Sequence, residues 1–546
     1  MDTYDYVIVG GGSAGCVLAN RLSANPAHRV CLLEAGPPDT SPFIRLPMGI
    51  VFMMLSRKLN WRYFTEPQDQ LHGRRMYWPR GKTLGGSSSS NAMIYTRGHA
   101  RDYDDWAALG NRGWGYADVL PLFKRAEHCE RGADAYHGVG GPLNVAELRS
   151  PNVLSGVYLD AAKESGYKPN NDFSGADQEG VGLYQLTQKN GERWSVARAY
   201  LHPVRQRSNL TVITGAHATR VLFEGKRAVG VAYRKDGREL QLGASREVLL
   251  SGGAINSPQL LLLSGVGPKA ELARHGIGQV HELPGVGENL QDHLDILIVH
   301  KATKPVSLAI SWSNALLQGL HLLNYLRHRK GPLTTNSAEG GGFIKSEPGQ
   351  SIPDLQLHFT PATLDDHAHT LSRAAFTMLG HGYSLHVCDL RPKSRGRIAL
   401  HSANPLDAAR IEPNYLSHPD DMATMLRGVK AGRRLLAATA FDPYRGREFF
   451  PGEQVQDDDG LKEFIRRKAG TIYHPVGTCK MGHDAMAVVD DTLKVHGLQG
   501  LRVVDASIMP TLVGGNTNAP TVMIAEKAAD MILHVETQDV GDMAIA

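Results

Sequence analysis

The first 35 residues restrict the fold more than any other stretch of this 546-residue chain. An apolar run, Tyr4 to Val9, leads into Gly10-Gly11-Gly12-Ser13-Ala14-Gly15 and then into the helix-prone Cys16 to Leu22. A second apolar run, Val30 to Leu33, ends at Glu34. The order is strand, glycine turn, helix and strand, with G-x-G-x-x-G at the turn and an acid 19 residues beyond its last glycine. Gly10 permits the tight turn, Gly12 lets the backbone approach a pyrophosphate, and Gly15 lets helix and strand pack closely. The helix start, with Ser13 and Ala14, presents backbone amide dipoles to phosphates. Glu34, followed by Ala35, is placed to accept hydrogen bonds from a ribose diol. The context predicts a dinucleotide site and leaves FAD and NAD both open.

A chain of this length exceeds one ordinary core, so at least two domains are expected. Its 59 lysines and arginines nearly balance 55 acids and are scattered along the sequence, which argues against a nucleic-acid partner. Cysteines 16, 31, 129, 388 and 479 form no C-x-x-C pair, so neither a disulfide framework nor a metal site is expected, and a reducing compartment fits. The chain opens directly on its first strand, without a basic segment and cleavage site, so a cytoplasmic location is expected. No run is apolar for long enough to span a bilayer. Residues 42–58, "PFIRLPMGIVFMMLSRK", and 307–330, "SLAISWSNALLQGLHLLNYLRHRK", are apolar or amphipathic with basic ends. Each suits a membrane surface, a core helix or an apolar cover over a pocket.

Two Gly/Ser-rich stretches carry the cofactor question further. "GKTLGGSSSSNAMIYTRGHARDYDDW" (81–106) and "GAINSPQLLLLSGVG" (253–267) resemble the two signatures of the glucose-methanol-choline (GMC) oxidoreductase family. The similarity continues through "PGVGENLQDH" (284–293), "PKSRGRIAL" (392–400), "TIYHPVGTCKMG" (471–482) and "LRVVDASIMPTLVGGNTNAPTVMIAEKAAD" (501–530). It implies FAD as cofactor and an α/β fold in two parts. A Rossmann-like FAD-binding domain would be assembled from residues 1–150, 205–300 and 470–546. A substrate-binding domain of antiparallel sheet and flanking helices would come from 151–204 and 301–469.

By the same resemblance Asn91, Ala92, Met93 and Ile94 would run beside the isoalloxazine, and Trp61, Gly85, Ser87 and Thr517 would belong to the cofactor site. Val221 would hold the adenine through its backbone, and Asp505 and Ala506 would meet the pyrophosphate and ribityl end. Plainer roles exist for three of these: Asn91 as a turn former, Val221 as a strand core residue, Asp505 as a helix cap. Some family members attach the flavin covalently to a histidine just before the asparagine matching Asn91. That position is Ser90 here, so dissociable FAD is expected.

Flavin-dependent alcohol oxidation moves a hydride from the carbinol carbon to flavin N5 while the hydroxyl proton leaves. An imidazole, with an ordinary pKa near about 6.5, suits that proton. His474 matches the family's active-site base, and Asn518 in "GNTNAPT" is assigned as its partner, donating to the substrate oxygen. His358, His386 and His483 are further histidines that no motif singles out. Within the family, "VCLLEAGP", "WPRGKTLGGSSS", "TQKNGERWS" and "NTNAPT" are similar to membrane-associated bacterial members that oxidise medium-chain alcohols in alkane breakdown. That implies primary alcohols, aliphatic or aromatic, as substrates, aldehydes as products, a quinone-type electron acceptor and peripheral membrane association. Choline remains a competing substrate, with Glu339 as its ammonium partner and Arg391 as a cation opposing it. An oxidase using O2 and a hydroxynitrile lyase also remain open.

Overall fold

The N-terminal motif folds as its spacing predicts. In the computed structural model, which describes residues 1–308, 315–363 and 380–543, strand Asp2–Val9 runs into helix Ser13–Leu22 and then strand Val30–Glu34. The helix buries Ala14, Cys16, Val17, Leu18, Ala19 and Leu22. A Cβ on Gly15 would lie 1.9 Å from the Gly10 carbonyl oxygen, so helix and turn close only because residue 15 has no side chain.

The first sheet has the order Leu210–Thr214, Val30–Glu34, Asp2–Val9, Arg238–Leu250, Arg227–Lys235, His217–Glu224. Its first four strands are parallel, and Leu501–Val503 adds a further parallel strand against Val248–Leu250. The 13-residue strand Arg238–Leu250 is the spine. Its early residues pair antiparallel with Arg227–Lys235, and its last three pair with Leu501–Val503. Segments far apart in sequence therefore bring their carboxyl ends to one side of the sheet, where ligands bind in open parallel sheets.

The second sheet, ordered Arg445–Phe450, Leu294–Ala302, Gly382–Asp389, Leu355–Thr360, Gly340–Ile344, Gly180–Leu183, is antiparallel throughout. Two of its strands depart from the expected division of the chain. Leu294–Ala302 lies in this sheet along its whole length, although residues to 300 were expected in the cofactor part. Gly470–Thr471 also pairs here, with Leu294 and Asp295. The strand's continuous ladder to Gly382–Asp389 leaves no break at residue 300.

Alternation across this sheet sorts its faces. Leu355, Leu357, Phe359, Tyr383, Leu385 and Val387 enter one apolar core with Met425, Val429 and Leu435 of helix Pro419–Leu436. The opposite face carries Leu297, His386 and His358, which stand in register across three neighbouring strands. All five cysteines are free and buried. Among the described residues no helix is long and apolar enough to cross a membrane.

Candidate active site

A cavity of about 480 Å³ lies between the glycine turn of the first sheet and the polar face of the second. Gly10, Gly12, Ser13 and Ala14 line one end with Glu34 and Ala35; Trp61, Ser87 and Asn91 to Ile94 line its side; Asp505, Ala506, Thr517, Asn518 and His474 complete it. Segments from opposite ends of the chain meet because helix Asn518–Met543 packs on helix Ser13–Leu22. Glu526 ties them, accepting from Arg21 at 2.7 Å and from the Tyr200 hydroxyl at 2.7 Å.

The nucleotide end fits a bound dinucleotide on its own geometry. Helix Ser13–Leu22 starts at Gly12 without a side-chain cap, so its first amides are open to an anion. Glu34 is held by the amides of Gly11 (2.9 Å) and Gly36 (2.7 Å), which fixes its carboxylate at the cavity wall. Burial pushes that carboxyl up to about 7. The two glycine loops close on each other, since a Cβ on Gly86 would lie 2.8 Å from Gly12 Cα.

Three residues assigned to the cofactor do not line the cavity. Gly15 supports the turn by packing, and Gly85, with φ +85°, shapes the second loop while donating its amide to Gly11. The Val221 amide is taken by Ser264 Oγ at 2.8 Å, and the wall nearby is built by Ala216, His217 and Ala218. Asp505 lines the cavity but spends its carboxylate internally, on Gly253 N (2.8 Å), Ser257 Oγ (2.6 Å) and Ser507 N (2.8 Å). It acts as the cap of its plainer reading and fixes the 252–253 loop.

At the other end stands His474, held from both sides. Its backbone amide donates to Asp292 Oδ1 at 2.7 Å, while Asp292 Oδ2 accepts from Thr471 Oγ1 at 2.5 Å and from the Tyr415 hydroxyl. Tyr473, just before it, has φ +71°, an unfavourable conformation for a side-chain-bearing residue. Arg80 Nη2 donates to the Tyr473 carbonyl at 2.7 Å, and Thr471 Oγ1 accepts the Tyr473 amide at 2.7 Å. The imidazole has His293 Nδ1 3.0 Å from its Nδ1 and Asn516 Nδ2 3.2 Å from its Nε2.

The asparagine paired with His474 is therefore Asn516, two residues before the one assigned from sequence. Asn518 sits at the first position of the last helix, where its Oδ1 accepts from Ser13 Oγ at 2.8 Å. Asn516 precedes the helix, and its amide orientation is over-determined. Oδ1 accepts from Thr96 Oγ1 (3.3 Å) and Gln356 Nε2 (3.1 Å), so Nδ2 is the atom left for His474. An amide donor at Nε2 requires a lone pair there, which puts the imidazole proton on Nδ1, donated to His293. Burial comes first, with the adjacent His293 and the Arg80 cation opposing a further positive charge, and together they hold His474 well below the ordinary histidine range. The ring is neutral and basic at the atom that faces the cavity.

Residues without an earlier assignment complete this end. His358 and His386 line the cavity, and His386 Nδ1 lies 2.6 Å from Asp295 Oδ2. Asp292 and His293 sit inside the quoted "PGVGENLQDH", which was the signal available for them. His483 lies outside the lining. The outer wall is apolar, with Met48, Ile50, Val51, Met54, Leu55 and Leu308. Glu339, the expected ammonium partner, lies outside the lining and accepts from Asn152 N, Ser155 Oγ and Thr335 Oγ1, each at 2.7 Å. Arg391 pairs with Asp102 and is likewise outside the lining. Elsewhere Glu127, Cys129 and His137 converge, but both His137 nitrogens are committed to Glu127 (3.0 Å) and Asp172 (2.9 Å), which makes the cluster an ion-pair network.

Comparison with known proteins assigns the family. The GMC oxidoreductase family models match residues 4–295 and 392–525. The chain belongs to the GMC oxidoreductase family. Its relatives include an "Alcohol dehydrogenase [acceptor]" of Pseudomonas putida, 54% identical over 97% of this chain and 96% of the relative. The mitochondrial choline dehydrogenase of Homo sapiens is 48% identical over 97% and 90%. Among solved GMC-like structures, pyridoxine 4-oxidase from Mesorbium loti superposes with a TM-score of 0.88 at 33% identity, covering 97% of this chain and 99% of that one. Formate oxidase of Aspergillus oryzae, in a variant made to follow FAD modification, superposes at 0.90 with 26% identity, covering 98% and 99%. This GMC oxidoreductase binds FAD, and the cradle between Gly12, Glu34 and the 85–94 loop fits it.

Proposed function

We propose that this protein oxidises primary alcohols, aliphatic of medium chain length or aromatic, to aldehydes with FAD. One observation carries the reading: a neutral histidine, its Nε2 lone pair held by the Asn516 amide, at the junction between a dinucleotide cradle and an apolar wall. FAD, when bound, supplies the hydride acceptor. His474 Nε2 takes the hydroxyl proton, and Asn516 Nδ2, released from that nitrogen, donates to the alcohol oxygen. His293 holds the ring through Nδ1, and Asp292 holds its backbone, so the base is aimed before substrate arrives. Met48, Ile50, Val51, Met54 and Leu55 would bury an apolar tail and exclude water from the transfer.

An apolar tail is favoured over a quaternary ammonium by charge. Among the described residues the carboxylates lining the cavity are Glu34 and Asp505, both committed to backbone amides. FAD is held without a covalent bond, because Ser90 lines the cavity where a histidine would be needed. Acid precipitation should then leave the yellow cofactor in the supernatant. The cofactor part of the chain follows the first sheet, its N-terminal portion ending before Leu294 and its C-terminal portion following Thr471, and the second sheet carries the substrate part.

Electrons leave to a separate acceptor of quinone type, at a membrane surface. Supporting this, Phe43 and Phe52 stack 4.6 Å apart and are exposed, beside residues of the same segment that line the cavity. Leu320, Leu322, Leu323 and Leu326 are exposed on helix Ala315–His328. The Ser337 hydroxyl lies 3.7 Å from Met48 Sδ, joining the two regions. Residues 40–62 and 301–338 contain no acid, while Arg45, Arg57, Lys58 and Arg327 are exposed, the pattern that suits an anionic lipid surface.

Anaerobic mixing of the yellow protein with 1-octanol, benzyl alcohol or choline tests the reading. The first two should bleach the flavin. Absence of bleaching by any alcohol would refute oxidation and favour a lyase; rapid return of colour with peroxide on admitting air would refute the separate acceptor.

A further inference from the structure

Among the described residues no carboxylate lies against Arg193, a fully buried cation. It ends the small hairpin Gln188–Lys189 and Glu192–Arg193, and its side chain is 0% exposed. Nη1 donates to Asn91 Oδ1 at 2.8 Å and to the Ser88 carbonyl at 3.3 Å, while Nε and Nη2 have no partner among the described residues. The adjacent Glu192 is engaged elsewhere, with Arg198 at 2.9 Å and Arg329 at 3.3 Å. Burial alone lowers the guanidinium, to about 9, which leaves it charged at neutral pH. A buried charge without a counter-ion is strongly disfavoured in a fold unless something compensates it. Residues flanking the same hairpin grip the loop that carries Asn91: Thr187 N donates to Met93 O at 2.8 Å, and Ser88 Oγ accepts Val196 N at 3.0 Å.

The hydrogen bonds at Asn91 also have a direction. Its Oδ1 accepts from Arg193 Nη1 and from Met93 N (3.0 Å), two groups that can only donate. The atom between them is therefore the oxygen. Nδ2 is left without a protein acceptor among the described residues, on a side chain that lines the cavity.

We propose that Arg193 is a positioning residue for the flavin: it orients Asn91 so that Nδ2 donates into the cofactor site, and it places an uncompensated positive charge behind the 88–94 loop that favours the reduced cofactor. The inference rests on the proposed alcohol oxidation. In that reaction the carbinol carbon loses a hydride, two electrons with one hydrogen, and is oxidised to the aldehyde. The hydroxyl proton goes to His474, which becomes positive, and the hydride would bring one negative charge to the bound cofactor itself. Among the described residues Arg193 bonds Asn91 with no competing anion to neutralise it.

The test is the two-electron midpoint potential of the bound FAD, measured by dye equilibration in the holoprotein of wild type, R193M and R193K. R193M should shift the reduction equilibrium at least tenfold toward oxidised flavin, about 30 mV for a two-electron couple. R193K, which keeps the charge, should stay within threefold of wild type. An R193M potential equal to wild type overturns the proposal. Should R193M not retain FAD, R193K decides alone: a tenfold shift in its equilibrium overturns the role of the charge, and retention within threefold supports it. The potential is read without substrate, so failure of the alcohol-oxidation reading, seen as no bleaching by any alcohol, is distinguishable from failure here.

Discussion

Replacing each of the two nearby asparagines separately separates the chemical role from the structural one. Asn516→Ala removes the amide 3.2 Å from His474 Nε2 and the donor to the alcohol oxygen. Loss of one preorganised donor at a reacting oxygen costs about 10²–10³ in rate, about 2.7–4 kcal/mol. Thr96 and Gln356, which now hold Asn516 Oδ1, cannot substitute, because both lie on the far side of that amide. Asn518→Ala removes only the neutral hydrogen bond from Ser13. That is worth about 1 kcal/mol, roughly a fivefold loss, and it falls on the glycine turn, so it should weaken FAD binding. The assay is anaerobic stopped-flow reduction of FAD-saturated protein by a saturating primary alcohol. Asn516→Ala should reduce the limiting rate by about 10² or more and Asn518→Ala by less than about threefold. A hundredfold loss in Asn518→Ala with Asn516→Ala unchanged would refute the assignment.

Three further outcomes follow from the same geometry. His474 is neutral because burial and neighbouring positive charge depress its pKa, so the limiting reduction rate should stay flat from pH 6 to 8; a loss of about fourfold over that range toward acid, the behaviour of an imidazole at about 6.5, would contradict it. Asp389 is buried, which pushes its carboxyl up to about 8, above the unfolded value of about 3.9. Its protonated form is favoured in the fold, so its contribution is complete below about pH 4 and is lost as pH rises through 8, at about 1.4 kcal/mol per pH unit. Asp389→Asn should flatten the fall in Tm between pH 5 and 8. Leu323→Glu with Leu326→Glu should reduce co-sedimentation with anionic liposomes at least fivefold while leaving reduction by a soluble alcohol unchanged.

Much of this site was legible in the sequence because its backbone demands are local. A turn built on Gly10 and Gly12, a helix that needs Gly15, and an acid at Glu34 form one contiguous unit, and the structure assembles it that way. His474 was legible through its flanking motif. What failed were choices between near neighbours. Asn516 and Asn518 are chemically identical and separated by one threonine; the difference is that the helix begins at Asn518 and turns it toward Ser13. The Val221 amide is bonded to Ser264, while the start of the same strand, at His217 and Ala218 with Ala216 just before it, meets the cavity. The division at residue 300 failed because Leu294–Ala302 is one uninterrupted strand. His358 and His386 were out of reach because only cross-strand register sets them beside His474's cavity.

The central claim is that His474 Nε2 takes the hydroxyl proton. Its most direct measurement is the anaerobic rate of flavin bleaching by a primary alcohol in wild type and in His474→Ala, both loaded with FAD. The rate should fall by about 10² or more, the scale of a lost general base, with FAD still bound. An unchanged rate would remove His474 from the chemistry.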